Sequence, residues 1–382
     1  MSQYTGEYEQ HLKEYWKPVR PLEPFSFYTF TPRPLMDGGF FELDDELFSV
    51  LTMTHRKLGV LEGMIKLIPD SESIRDLLIL KECHYSRLID YDGGGFFETL
   101  KAINVGKNEA ENTLNIASAY RYSLEKHVNN VALSKLCTIV LYGHNSDIKV
   151  RERDKFIFLS KGVSNLKEYN PTAPDKIRPA LADISGFLLD DDKTDVLVKA
   201  ALAHYQFEMI HPFECYNGIV GRIMFPMILH SYGIKAAPFI GLSELLYSNK
   251  NDYFNILSAT QYSAGYIALI KFFVWRIYIA AERSVKQMEK LVQIIAEDEA
   301  KVNARGKNMI MIMVYDYFKR HLVSEIKPAS EALGVSFNAV AKAVESLMSM
   351  CILRKDGQQS RHRVFVYDRF LNTLVQTSQS PS

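Results

Sequence analysis

The sequence predicts a mainly α-helical protein, and three observations lead to that fold class. The chain has 382 residues, of which 47% are hydrophobic, so it can bury a sizeable core and form two or three domains. Within residues 43–300, only one segment, at about 150–170, has the alternation and turn residues of a β-hairpin. Apolar residues recur at helical spacing along most of the chain, beginning with Leu43, Leu47, Leu51, Leu58 and Leu61. We therefore expect a helical bundle with one short hairpin over residues 43–300.

The chain divides into four expected segments. Five prolines punctuate residues 1–42, which we expect to form an irregular, extended arm lying over the body. Residues 43–130 are expected to form a helical N-terminal region, and residues 131–300 the core domain. A long charged helix over 282–307 then leads to a C-terminal domain at 308–375.

The composition excludes several classes of protein. The 45 basic and 45 acidic side chains give zero net charge, so nothing draws the whole chain to nucleic acid or to an anionic membrane. The four cysteines are scattered without the spacing of a metal site. The first residues lack the apolar segment of a signal peptide, and Lys271 and Arg276 interrupt the most apolar stretch. We expect a cytoplasmic, soluble protein with no membrane partner; a homodimer is compatible with the sequence.

The chain is organised around residues 200–222, which combine a buried helix, a sharp turn and a second helix. Pro212 ends the first helix at or before His211, because a residue that precedes proline is displaced from the α region. Asn217 and Gly218 can begin the second helix. His211 therefore lies in the turn and faces the positive end of a helix, where free N–H groups bind anions. A base beside a phosphate site indicates group transfer from a nucleotide.

These residues resemble the active-site motif of the Fic (AMPylase) family, His-Pro-Phe-x-Asp/Glu-Gly-Asn-Gly-Arg-x-x-Arg. Three positions depart from it: Cys215 replaces the acidic residue, Tyr216 replaces a glycine and Ile219 replaces the first arginine. The resemblance implies a Fic-type helical bundle whose β-hairpin is a flap over the site. The residues that match the motif are His211, Pro212, Phe213, Asn217, Gly218 and Arg222.

The resemblance also implies a role for each residue of the motif. The family's histidine, His211 here, takes a proton from a hydroxyl of a target protein, and the oxygen attacks the α-phosphate of ATP. Asn217, Gly218 and Tyr216 are the expected contacts of the nucleotide, with Arg222 on the γ-phosphate. The family's acidic residue holds Mg²⁺, whereas the cysteine found here lacks the hard oxygen that Mg²⁺ prefers, so no metal ligand is expected. Losing the metal and one guanidinium predicts very slow ATP chemistry or none.

A second segment resembles the family's inhibitory motif, Ser/Thr-x-x-x-Glu-Gly, whose glutamate pairs with the last arginine of the active-site motif. Ser86 matches the first residue, Asp90 replaces the glutamate and Tyr91 replaces the glycine. We expect Asp90 to lie near Arg222. Because aspartate is one methylene shorter than glutamate, we expect the ion pair to be lost or bridged by water. Two alternatives stay open: Glu62-Gly63 is a competing inhibitory pair, and Asp90 is an ordinary surface carboxylate.

The C-terminal segment resembles a winged helix-turn-helix. Two helices flank the turn at Gly334-Val335-Ser336, and two strands enclose a loop at 355–360. The second helix offers DNA little besides Lys342, which has Glu345 beside it. The basic residues that could contact phosphates lie on the wing: Arg354, Lys355, Arg361, His362 and Arg363. DNA binding, protein docking and a structural role all stay open.

Two functional hypotheses of different class follow. The first is a Fic-type nucleotidyltransferase that moves AMP from ATP, or uses another nucleotide, with the target protein paired to the flap as an added strand. The second is a degenerate Fic protein that binds a nucleotide, a partner or DNA without catalysis. Intact His211, Asn217 and Arg222 favour the first hypothesis. The three departures from the motif, Cys215, Tyr216 and Ile219, favour the second.

Overall fold

Helices account for most of the structure, which is a computed structural model of the chain. The predicted mainly α-helical fold class is confirmed. The residues that the structure describes are 5–13, 16–17, 20–21, 25–39, 41–68, 70–105, 111–143, 149–155, 171–263, 265–306, 308–357 and 363–375. Most of the hairpin that the sequence predicts at about 150–170 lies outside these residues.

The prolines suggested an irregular N-terminal segment, but the structure shows paired strands there. The strands are β1 (Gly6–Lys13), β2 (Trp16–Lys17), β3 (Arg20–Pro21) and β4 (Phe25–Pro32). Strand β1 pairs antiparallel with β4, and β2 pairs antiparallel with β3. Aromatic and β-branched residues in β4 favour the extended conformation, and its proline is the last residue of the strand, where a missing N–H is tolerated.

The hairpin is anchored to the helical body by buried hydroxyl groups. The Thr5 hydroxyl donates to the Thr260 carbonyl at 2.9 Å, and the Thr172 hydroxyl donates to the Phe30 carbonyl at 2.9 Å. The arm therefore lies over the body, as expected, but as a two-stranded ribbon.

The N-terminal helical region consists of α1 (Asp45–Ile65), α2 (Ser71–Asp90), α3 (Phe96–Val105) and α4 (Glu111–Ser123). Asp44 caps α1 by accepting from the Leu47 amide at 2.7 Å. Helix α2 packs against α4 and the core helices, and its last residue is Asp90. The end of α2 therefore places the Asp90 carboxylate beside the core helices.

The core domain surrounds one helix that is buried on all sides. Its helices are α5 (Asn130–Tyr142), α6 (Pro174–Leu189), α7 (Val196–Ile210), α8 (Asn217–Ser231), α9 (Leu242–Ser248), α10 (Lys250–Ser263) and α11 (Tyr266–Ala304). Every residue of α7 from Leu197 to Ile210 is buried, because α6, α8 and α11 all pack against it. An apolar helix without an amphipathic pattern is typical of such a central position. The charged helix predicted over 282–307 corresponds to the second half of α11, which continues unbroken from the core and ends at Ala304.

The C-terminal segment has helices and strands where the sequence predicts them, together with two elements that the sequence analysis did not anticipate. It contains α12 (Met309–His321), β5 (Val323–Glu325), α13 (Ile326–Leu333), α14 (Phe337–Ser349), β6 (Arg354–Asp356), β7 (Val364–Val366) and α15 (Asp368–Val375). The strands form an antiparallel sheet of order β5-β7-β6. Strand β5 and helix α15 were not predicted.

The C-terminal segment packs on the N-terminal helical region. Strand β5 packs against α3, and Lys101 of α3 forms an ion pair with Asp356 at 3.1 Å. Arg320 of α12 lies 3.4 Å from Asp70, which precedes α2. None of the described helices combines the length and apolar composition needed to cross a membrane.

Candidate active site

The turn between α7 and α8 holds His211 in a left-handed backbone conformation. His211 has φ 50° and ψ 61°, and its amide donates to the Phe207 carbonyl at 3.0 Å, which completes the last turn of α7. Because Pro212 follows, the helix cannot continue, as the sequence predicts. The histidine is therefore the cap of a rigid buried helix, and the strained backbone is of the kind that clusters at functional sites.

A buried arginine that the sequence analysis did not single out fixes this turn. Arg151 donates through Nε to the His211 carbonyl at 2.8 Å and through Nη2 to the Ile210 carbonyl at 3.2 Å. Its own amide donates to the Pro212 carbonyl at 2.9 Å. One guanidinium thus donates hydrogen bonds to carbonyl groups at the end of α7 that have no partner within the helix. The sequence carries no distinguishing signal for this role beyond an arginine before the expected hairpin.

Asn217 closes the other side of the turn. Its Oδ1 accepts from the Phe213 amide at 2.8 Å, and its Nδ2 donates to the Phe213 carbonyl at 2.7 Å. The side chain is buried, and one of its amide N–H groups remains beyond these two bonds. In this conformation Asn217 braces the turn, and its contact with a phosphate stays a prediction.

Tyr216 adopts a conformation that glycine would adopt without strain. It has φ 61° and ψ 16° and precedes α8, whose N-terminus receives no side-chain cap from it. A left-handed conformation costs a residue with a Cβ roughly 1–2 kcal/mol. Its ring lies 6.1 Å from that of Tyr91, the residue after Asp90. The two tyrosines that stand where the motifs have glycine therefore contact each other.

Arg222, the last arginine of the motif, is held by the end of α2. It donates through Nε to the Ser86 hydroxyl at 2.9 Å and through Nη2 to the Ser86 carbonyl at 2.9 Å. Its Nη2 also lies 2.5 Å from Asp90 Oδ2. Burial alone would lower the pKa of Arg222, but the Asp90 carboxylate raises it above its ordinary value. We name this Ser86–Asp90–Arg222 contact the latch.

The latch is direct, which corrects the expectation that the shorter aspartate would lose the ion pair or bridge it through water. The missing methylene is compensated by the close approach of α2 to the start of α8. A Cβ added to Gly218 would lie 3.0 Å from Asp90 Oδ2 and 2.8 Å from Arg222 Nη1. Glycine at this position therefore gives Asp90 room to reach the arginine.

The competing carboxylate is occupied elsewhere. Glu62 Oε1 accepts from the Ala236 amide at 3.2 Å, on the loop after α8. Asp90 is an exposed residue, but it is not an ordinary surface group, because its carboxylate is paired with buried Arg222. The structure thus selects Asp90 over Glu62 as the partner of the arginine, while inhibition itself stays a prediction.

Comparison with known proteins agrees with this geometry. Residues 132–229, which span α5 to α8, match the Fic/DOC family. This segment of the chain is therefore similar to the Fic/DOC domain. A probable protein adenylyltransferase of Aquifex aeolicus is 32% identical over 97 residues, covering 25% of this chain and 28% of that protein. A protein adenylyltransferase of Caenorhabditis briggsae is 32% identical over 68 residues, covering 17% of this chain and 13% of that protein. The alignments thus cover less than a third of either relative.

Two solved structures share the fold. A Fic family protein from Desulfovibrio desulfuricans G20 aligns with a TM-score of 0.57 at 15% identity, covering 90% of this chain and 100% of that chain. A Fic domain containing signaling protein from Bacteroides thetaiotaomicron VPI-5482 aligns with a TM-score of 0.50 at 14% identity, covering 62% and 97% of the two chains. At these identities the likeness concerns the fold alone.

Electrostatics keep the Fic histidine neutral. Burial, and next the nearby cations Lys155 and Arg151, lower the pKa of His211 from 6.5 to about 3. Its Nδ1 is buried and has no hydrogen-bond partner among the described residues. A neutral imidazole can accept a proton, although a base with so low a pKa is weak. An anionic ligand beside the turn would raise that pKa and strengthen the base.

The residues at the motif's metal position do not suit Mg²⁺. Burial raises the pKa of the Cys215 thiol, so this sulfur stays protonated and offers no anionic ligand. The neighbouring Cys137 thiol lies 3.6 Å from the Cys215 carbonyl, and burial raises its pKa to about 12. Across the described residues, no group of three His, Cys, Asp or Glu side chains is arranged to hold a metal. Mg²⁺ prefers carboxylate and water oxygens, and Cys215, the residue at the motif's metal position, offers a protonated sulfur instead.

The position of the missing arginine is buried in the hydrophobic core. Ile219 lies on α8 and is fully buried. A charged side chain placed there would be buried without a partner, which is strongly unfavourable. The departure at 219 is therefore built into the packing, whereas Cys215 and Tyr216 are partly exposed and can be exchanged.

Proposed function

We propose that this protein is a nucleotide-binding Fic protein of the adenylyltransferase type, with slow or altered transfer chemistry that the latch holds back. The observation that carries this proposal is the arrangement around the start of α8. This helix N-terminus has no side-chain cap, and neutral His211 and buried Arg222 lie beside it. Asp90 forms an ion pair with Arg222. A helix N-terminus with a nearby guanidinium and a base suits a phosphate ester.

The transfer reaction assigns each group a step. The hydroxyl oxygen of a target protein forms a bond to the α-phosphorus of ATP, and the bond from that phosphorus to the bridging oxygen breaks. Pyrophosphate leaves with the bonding electrons, and the hydroxyl proton passes to neutral His211. Arg222, once released by Asp90, neutralises the γ-phosphate. The α8 amide groups bind phosphate oxygens during the same step.

A second function, nucleotide or partner binding without transfer, is favoured by specific contacts. Both functional groups of the Asn217 amide bind the turn itself, and Ile219 is inaccessible. The low pKa of His211 also weakens the base. These features reduce the rate of transfer more than they reduce binding.

The deciding experiment measures binding and transfer on the same protein. We expect ATP to bind in a calorimetric titration, and labelled AMP to be transferred slowly to the protein itself or to a lysate target. His211→Ala is the control, which should bind ATP and transfer nothing. Cys215→Asp with Tyr216→Gly should accelerate transfer in Mg²⁺, because it restores a hard ligand and an unstrained turn. ATP binding without transfer in either form would establish the second function, and absence of binding would refute both.

For the C-terminal segment we propose protein docking or a structural role in preference to DNA binding. Arg354 on the wing is engaged by Asp368 at 2.6 Å and by Asp356 at 3.5 Å. Exposed Lys342 on α14 lies beside exposed Glu345. Phosphate binding requires cations that are not already paired. A gel-shift titration at low salt in which duplex DNA binds in the micromolar range or tighter would contradict this assignment.

We also propose a cytoplasmic location. All four cysteines are unpaired thiols in the structure. Free thiols are typical of a reducing compartment. Fractionation of the source cells, followed by detection of the protein, tests this directly.

A further inference from the structure

A lysine stands beside the part of the turn where the Fic motif has its acidic metal ligand. The Lys155 ammonium donates to the Glu214 carbonyl, immediately before Cys215. Electrostatically it interacts with Cys215, Glu214 and Cys137, and it is one of the two cations that lower the pKa of His211. The lysine thus brings a positive charge to the loop that joins the base to the start of α8.

The other cations of this region are committed to the protein. Arg151 donates to the carbonyl groups of His211 and Ile210 and is buried. Arg222 donates to Ser86 and Asp90. Lys155 is partly exposed, and its bond to Glu214 uses one of the three N–H donors of an ammonium group. Within the part of the chain that the structure describes, two donors therefore remain for a ligand.

We propose that Lys155 binds the phosphates of the nucleotide in the role that a divalent metal would have, so that nucleotide binding here does not require Mg²⁺. This inference rests on the proposed nucleotide-binding function and adds to it the means of charge neutralisation. The ligand class is a nucleoside polyphosphate whose anionic oxygens lie between Lys155 and the N-terminus of α8. An ammonium is a compact point charge that suits phosphate oxygens.

The chemistry of the neighbouring groups agrees with this exchange of a metal for a lysine. A metal site needs anionic ligands to attract the dication, and the thiols of Cys215 and Cys137 are held protonated by burial. An ammonium at the same place repels a dication and attracts the polyphosphate. Burial lowers the pKa of Lys155, and a bound phosphate would raise it again.

The test is a set of calorimetric titrations with ATP and with inorganic tripolyphosphate, each in EDTA and in excess Mg²⁺. Lys155→Met removes the charge while keeping a long side chain, and Lys155→Arg keeps the charge. Lys149→Met is the matched control, because Lys149 is an exposed lysine in the same described segment, 149–155. Each titration is repeated with Asp90→Asn, so that a closed latch does not mask binding. Thermal unfolding checks that every variant folds.

We expect ATP affinity to be the same within about twofold with and without Mg²⁺, and to fall at least about tenfold in Lys155→Met. Lys155→Arg and Lys149→Met should stay near the unchanged protein. Mg²⁺-dependent ATP binding, or full affinity in Lys155→Met, would overturn the inference while leaving the nucleotide-binding function intact. Tripolyphosphate binding that needs Lys155, without ATP binding, would leave the lysine site intact and overturn the nucleotide function. No binding of either probe would overturn both.

Discussion

Removing the Asp90 carboxylate should slightly lower the free energy of unfolding and raise the affinity of the protein for ATP. In Asp90→Ala, the Arg222 guanidinium loses the oxygen that lies 2.5 Å from its Nη2. The arginine side chain is only 3% exposed, so water does not replace that partner fully. Its two bonds to Ser86 remain. The variant therefore keeps the fold and frees a charged donor for a phosphate.

The contacts set the expected magnitudes. Removing one partner of a fully buried ion pair costs about 3–5 kcal/mol. Asp90 is 26% exposed and Ser86 still accepts from the arginine, so we expect a loss of about 1–2 kcal/mol in the free energy of unfolding. A charged hydrogen bond from the released guanidinium to ATP adds about 1.5–3 kcal/mol, which is roughly a tenfold to hundredfold gain in affinity.

Urea unfolding and calorimetric ATP titration measure the two effects separately. A double-mutant cycle with Arg222→Met isolates the coupling between the latch partners, since methionine keeps the length of the side chain without its charge. Glu62→Ala is the matched control, because Glu62 is the competing carboxylate and binds the Ala236 amide instead. It should leave ATP affinity unchanged.

Two results would refute this reasoning. One is unchanged ATP affinity in an Asp90→Ala protein that is destabilised as expected, which would show that the latch is structural only. The other is a cycle without coupling between Asp90 and Arg222, which would show that their contact carries no energy.

Three further predictions follow from buried groups around the site. Gly218→Ala should abolish most of the coupling measured in that cycle, because its new Cβ would lie 3.0 Å from Asp90 Oδ2 and 2.8 Å from Arg222 Nη1; full coupling would contradict the close approach. Ile219→Arg should cost at least about 3 kcal/mol of stability in urea, since it buries an unpaired charge, whereas Ile219→Leu should cost under about 1.5 kcal/mol. Burial lowers the pKa of His204 from 6.5 to about 4. Between these pH values the unfolded state binds a proton that the folded state does not bind, so the free energy of unfolding decreases as the pH falls from 6.5 towards 4. This group should contribute about 2 kcal/mol of loss between pH 7 and 5, and His204→Gln should remove that part of the pH dependence.

The helical fold and the central turn were predictable because local signals agree there. Apolar periodicity located the helices, and Pro212 located the end of α7. The proximity of Asp90 to Arg222 was predictable from the resemblance of two short motifs. Its directness was not, because it depends on the spacing between α2 and α8, which no local pattern records.

Other features depend on tertiary contacts that a sequence pattern does not contain. Prolines in the first segment suggested irregular structure, but the aromatic residues of β4 and the anchoring of Thr5 favour a ribbon. Ile219 stands at the position of the motif's first arginine, but on the folded helix its side chain is buried in the core. Arg151 and Lys155 lie in a segment without a motif, and their importance appears only once the turn is folded beside them.

The tight fit between Asp90 and Gly218 has a consequence for how relatives of this chain can vary. The carboxylate on the short side chain keeps its present contact with the arginine while the opposing helix presents no Cβ. Changing residue 218 to a larger type should therefore displace the Asp90 carboxylate or the Arg222 guanidinium, and should be tolerated best in chains that have also lost the acid at 90. We expect aligned homologues to show these two positions varying together, and a common pairing of alanine at 218 with aspartate at 90 would count against this geometric dependence.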